Sequence, residues 1–96
     1  MLKVRYSTQF KKDFKRAKKR GLPLHELKAV IEQLTSEKSL APKHRDHALA
    51  GKYAAFRECH ILPDWLLIYR IDHDVMEFIA QRTGTRECKM KCVSYR

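Results

Sequence analysis

The chain reads as an α+β domain in which an N-terminal strand and an antiparallel two-helix hairpin precede a three-strand antiparallel meander, all strands forming one curved sheet. Three observations predict it. Residues 2–6, LKVRY, alternate apolar and basic side chains with the period of a half-buried strand. Two stretches with helical apolar spacing follow. The second half then holds three runs rich in aromatic and branched residues, 54–62, 65–71 and 75–82, parted by turn residues. With 96 residues the chain makes one domain with one core, and a separate cofactor domain is excluded.

The first strand is short and belongs at or near a sheet edge. Ser7 or Thr8 can cap the first helix, where Phe10, Phe14 and Ala17 recur on one side until Gly21 ends it. Pro23 suits the first turn of the second helix, whose stripe is Leu27, Val30, Ile31 and Leu34. The link through Gly21 and Leu22 is short, so the helices form a hairpin whose apolar side needs a sheet to cover it. Residues 39–52 are polar, punctuated by Pro42 and Gly51, and read as an ordered surface loop. Pro63-Asp64 and Asp72-His73-Asp74 mark the hairpin turns of the meander. Its middle run, WLLIY, is apolar at both parities, as a central strand covered on both sides would be.

Twenty-one Lys and Arg against eleven Asp and Glu give a net charge of +10, while 44% hydrophobic content indicates a folded domain and not a basic tail. A polyanion, nucleic acid first, is the partner this charge selects. The outer side of the first helix concentrates it in Lys11, Lys12, Lys15, Arg16, Lys18, Lys19 and Arg20. The N-terminus has no signal-peptide core, and no window reaches the roughly eighteen apolar residues of a membrane helix, so a cytoplasmic protein without a membrane partner is expected. Cys59, Cys88 and Cys92 are an odd number in such a chain and are expected to be free thiols, Cys59 in the core.

Chemistry concentrates in residues 44–65, HRDHALAGKYAAFRECHILPDW. In the strand, Phe56, Glu58 and His60 share one face, and Cys59 and Ile61 point to the core on the other. Glu58 and His60 then project from an open face, Asp64 lies in the turn beyond, and His47 enters from the preceding loop. Arg57, at the strand entrance, can turn to either side at a bulge. Imidazoles, carboxylates and an arginine near a basic surface suit RNA cleavage by the substrate's own 2′-hydroxyl. That reaction needs a base, an acid and a cation for the phosphorane charge, with no metal or cofactor. The bland alternatives are a hydrogen-bonded His60, a loop hydrogen bond for His47 and a turn role for Asp64.

The elements D-H-x-L-x-G, R-[ED]-x-H-[IV]-x-P-D-[WY] and a late T-G-T, here DHALAG, RECHILPDW and TGT, resemble the YafQ branch of the RelE/ParE superfamily of bacterial toxins. The resemblance implies a RelE-like fold and a ribosome-dependent mRNA endonuclease of a type II toxin–antitoxin system. It implies as partners a cognate acidic antitoxin, the ribosome and mRNA, with operator DNA bound through the antitoxin. The family's catalytic positions fall on His47, His60 and Asp64, with Trp65 beside them on the RNA. Related members add Lys52, Arg57 and Glu58, and Lys11, Lys15, Arg16, Lys18 and Lys19 are the expected RNA-contacting helix face. His60 or Asp64 would help to remove the 2′ proton while Arg57 and Lys52 hold phosphate charge.

Two positions depart from the family pattern. TGTRECKM places Arg86 where the family has a catalytic histidine and Met90 where it has a terminal phenylalanine. Arginine does not exchange a proton near neutral pH, so Arg86 can stabilise the phosphorane but not act as acid or base, and attenuated cleavage is expected. Three other readings compete: a basic binding domain without catalysis, zinc binding by His44, His47, Cys88 and Cys92, and gyrase poisoning by a ParE-like relative on the same fold.

Overall fold

The computed structural model describes residues 2–51 and 54–85. Its elements are β1 (Lys3–Tyr6), α1 (Thr8–Lys19), α2 (Leu24–Thr35), a 3-10 turn (Pro42–His44), β2 (His47–Ala48), β3 (Arg57–Leu62), β4 (Trp65–Asp72) and β5 (Glu77–Thr85). The strands form one sheet in the order β1-β5-β4-β3-β2. β3, β4 and β5 are the expected meander. Two features go beyond the sequence reading. β1 pairs in parallel with β5, with both helices in the crossover, and the loop contains β2, which pairs with β3 through only two residues.

Local chemistry explains the helix ends. Ser7 caps α1 by accepting from the Phe10 N–H at 2.9 Å, and its hydroxyl donates to the Gln81 carbonyl at 2.6 Å, tying the helix start to β5. At the other end Gly21 takes φ +75°, the Gly21 N–H reaches the Lys18 carbonyl and the Leu22 N–H the Ala17 carbonyl. This paired closure needs a left-handed residue just past the helix, which glycine supplies without strain. The chain therefore turns at once into α2.

The core lies between the hairpin and one sheet face. Phe10, Ala17, Leu27, Val30, Ile31 and Leu34 meet Cys59, Ile61, Trp65, Leu67, Tyr69, Phe78 and Ala80. Leu66 and Ile68, of opposite parity, are buried as well, so β4 is covered on both sides as expected. β1 is more exposed than its alternation suggests, because only β5 flanks it: Val4 and Tyr6 are exposed.

A buried carboxylate fixes α1 to the sheet. Asp13, 3% exposed, accepts from Arg82 Nε and an Arg82 terminal nitrogen, both at 3.2 Å, from the Thr83 N–H at 3.3 Å and from Gln9 at 3.1 Å. Within the basic helix the single acidic residue is thus its anchor. Removing one partner of such a pair leaves a charge desolvated against apolar neighbours, which costs about 3–5 kcal/mol. Asp13→Ala is predicted to lower unfolding stability by about that amount in urea denaturation, and an effect below about 1 kcal/mol would show the pair to be incidental.

Candidate active site

Strand pairing brings the first candidates together. His47 stands opposite Glu58 across β2 and β3, with its Nε2 3.5 Å from Glu58 Oε1. Its Nδ1 lies 2.7 Å from the Arg45 carbonyl, and because a carbonyl only accepts, that nitrogen carries a proton. A doubly protonated His47 would donate to both partners. His60 shares the face of Glu58, two residues further along β3 from the residue that pairs with His47. The His60 Nδ1 donates to the Pro63 carbonyl at 3.3 Å, which leaves Nε2 with its lone pair. The β3–β4 register shifts between His60 and Leu62, so the face carrying His60 ends at a bulge. Asp64 follows on the exposed turn.

These side chains are less open than the sequence implied. Glu58 is 6% and His60 8% exposed, because the 3-10 turn packs against β3 and covers them. Only His47, whose side chain is half exposed, and Asp64 stand well out to solvent.

Arg57 resolves to the opposite parity, in register with Tyr69. Its Nε donates to Asp46 Oδ1 at 3.2 Å, and the Tyr69 hydroxyl donates to the same oxygen at 2.6 Å. Burial works to lower the Arg57 pKa, but the hydrogen bonds to Asp46 and Tyr69 and the Asp46 charge outweigh it and hold the guanidinium above its ordinary value. Burial, followed by the Asp46 interaction, pushes the Tyr69 hydroxyl well above the usual phenol range. Arg57 is therefore held at the sheet margin beside the His47–Glu58–His60 face and not on it.

One expectation needs correction. Trp65, expected on the RNA, is 1% exposed within the core and offers no ring face to a base. It sits beside Asp64 in sequence, but its parity is that of Leu67 and Tyr69, which face the helices. The basic residues Lys11, Lys15, Arg16, Lys18 and Lys19 are exposed on α1, yet α1 packs over β5. Three strand spacings separate β5 from β2, about 14 Å, so this face stands apart from the histidine cluster. Lys52, Arg86, Cys88, Met90 and Cys92 lie outside the described residues. Among the described residues no group of three or more His, Cys, Asp or Glu is placed to hold a metal ion. Sequence reasoning noted Asp46 in the DHALAG element and His44 as a possible zinc ligand but missed that both anchor the loop, since their partners, the His60 carbonyl, Arg57 and Tyr69, are distant in the chain.

A second feature lies on the hairpin side. Tyr6, Phe10, Phe14, Leu27 and Ile31 line an apolar groove of about 370 Å³, with Lys11, Lys15 and Lys28 on its walls.

Comparison with known proteins places these features. Residues 2–88 match the profile of the family described as bacterial toxin of type II toxin–antitoxin system, YafQ. The chain is 36% identical over 83 residues to the mRNA interferase toxin YafQ of Escherichia coli K12, covering 85% of this chain and 88% of that protein. It superposes on a metal-bound toxin from Helicobacter pylori with a TM-score of 0.86 and 40% identity, over 91% of this chain and 97% of the other. YafQ in the E. coli DinJ–YafQ complex gives a TM-score of 0.83 at 32% identity, over 92% and 97% of the two chains.

The cysteine beneath this site gives a pH test. Burial, then the charges of Asp46 and Glu58, push the Cys59 thiol from 9.0 up to about 12, with Arg57 opposing. The folded chain thus keeps a proton that the unfolded chain releases. Stability from this group is intact below about pH 9 and falls as pH rises towards about 12, by at most about 1.4 kcal/mol per pH unit. Denaturation midpoints across that range are predicted to fall less steeply for Cys59→Ala than for the parent, and parallel curves would contradict the assignment.

Proposed function

The chain belongs to the YafQ family of bacterial type II toxin–antitoxin toxins, and from that premise we propose that it is a cytoplasmic, ribosome-dependent mRNA endonuclease that cuts by attack of the substrate's own 2′-hydroxyl. The observation that carries this reading is the His47–Glu58–His60 arrangement across two paired strands. His60 presents an Nε2 lone pair that can take the 2′ proton. The 2′ oxygen attacks phosphorus, the bond to the 5′ oxygen breaks, and His47, oriented by Arg45 and Glu58, gives that leaving oxygen its proton. The products are a 2′,3′-cyclic phosphate and a 5′-hydroxyl.

Charge handling falls to the margins of the site. Arg57, kept cationic beside Asp46 at the margin of this face, is proposed to help hold the phosphate charge, and Lys52 and Arg86 are proposed to add to it. Asp64 on its exposed turn is proposed to assist His60. The basic face of α1 supplies further attraction for the ribosome's RNA. The proposed antitoxin is an acidic chain; the apolar groove walled by lysines suits an amphipathic segment of it, and the assembled pair would bind operator DNA through the antitoxin.

Cleavage of ribosome-bound mRNA separates this reading from a non-catalytic binder or a gyrase poison. His47→Ala and His60→Ala are each predicted to slow cleavage by about 10²–10⁴ while ribosome binding persists. If both variants cut and arrest growth like the parent, the proposed site is wrong. Arg86→His is predicted to raise the parent's rate, since it supplies a proton-transfer group where arginine has none. Full-strength cleavage by the parent that does not rise in this variant would refute attenuation.

A further inference from the structure

The cluster's strand is closed at its edge by a side chain. The Leu49 N–H donates to the Phe56 carbonyl at 3.0 Å, so Phe56 and, at the alternating period, Glu58 and His60 turn their main-chain groups towards β2. β2 pairs only with Arg57 and Glu58. Continuing the same register would set Arg45 opposite His60. Arg45, however, sits at φ +46°, and its N–H closes the 3-10 turn on the Pro42 carbonyl at 3.0 Å. A strand cannot continue through that residue, yet the His60 carbonyl is buried in protein and needs a donor.

His44 supplies it. The residue is 8% exposed, and Nδ1 lies 2.6 Å from the His60 carbonyl oxygen, so Nδ1 carries the proton and donates. We infer that His44 is a positioning residue: its buried ring stands in for the missing ladder donor and sets the main chain of His60 against the turn that leads into His47. It does not touch the substrate. One hydrogen bond thereby links the loop supplying the proposed acid to the strand residue supplying the proposed base. A displacement of about 1 Å in such a pair costs up to about 10²-fold in rate.

The inference rests on His60 as a proton-transfer group, so its test includes a readout independent of that role. Asparagine puts an amide N–H the same number of bonds from the backbone as histidine Nδ1, whereas glutamine puts it one bond further out. Parent, His44→Asn, His44→Gln and His44→Ala are compared in single-turnover cleavage of ribosome-bound mRNA, in ribosome affinity, and by ring-nitrogen and backbone NMR of the free toxin. The expected result is a His44 ring protonated at Nδ1, with His44→Asn within about threefold of the parent and His44→Gln and His44→Ala slower by about ten- to a hundredfold at unchanged ribosome affinity. In the slow variants the amide signals of residues 58–62 should move, and in His44→Asn they should stay. If His44→Ala does not fold, the Asn and Gln pair decides alone. A His44 ring protonated at Nε2, a His44→Gln variant that matches the parent, or a His44→Asn variant as slow as His44→Gln would overturn the inference. Should His60→Ala cleave normally, the proton-transfer reading fails, and the His44 clamp is then judged on the NMR results alone.

Discussion

The site depends on how residues 44–48 are fastened to the open edge of β3. A two-residue strand contributes too few ladder bonds to hold a loop by itself, so side chains do the fastening. His44 donates to the His60 carbonyl, and Asp46 accepts from both Tyr69 and Arg57. Hydrogen bonds to a carboxylate contribute about 1.5–3 kcal/mol each when their donors are shielded, and Tyr69 is fully buried. Without this attachment His47 would have no fixed position relative to Glu58, and Glu58 and His60 would face solvent. The fastening therefore sets both the geometry and the partial dryness of the cluster, which strengthens any charge interaction within it.

The helical hairpin solves a different problem. It must cover the far face of the sheet while leaving a strongly cationic surface outside. The Asp13–Arg82 pair does the first on the buried side of α1, and the exposed lysines do the second on the other. Sheet order then keeps the two charged regions apart, since α1 lies over β5 and the histidines sit by β2 and β3. A protein organised in this way can attract a polyanion over a broad face and act on it at one margin.

Much of this was legible in the amino-acid order. Helical spacing gave α1 and α2, the aromatic and branched runs gave β3 to β5, and alternation placed Glu58 and His60 together, away from Cys59. What was not legible has physical causes. His47-Ala48 has no strand propensity, and β2 exists only because Arg57 and Glu58 offer it a register. The parallel β1–β5 pairing joins residues more than seventy positions apart, which no local pattern encodes. Trp65 was misplaced because the resemblance set it beside Asp64 in sequence, whereas neighbouring residues of a strand point to opposite faces and Trp65 shares the core parity of Leu67 and Tyr69. Burial of Glu58 and His60 depended on the path of a loop, and loop paths follow from tertiary contacts such as those of His44 and Asp46.

The most direct measurement of this account is native-state hydrogen exchange at the Leu49 amide, which donates across the β2–β3 edge, in the parent and in Asp46→Ala. If Asp46 fastens the loop, the variant should exchange Leu49 faster by at least about tenfold, the amides of Leu67 in β4 should keep their protection, and mRNA cleavage should fall with it. Unchanged Leu49 protection in Asp46→Ala, or fast exchange with cleavage at the parent's rate, would contradict the claim that edge attachment builds the site.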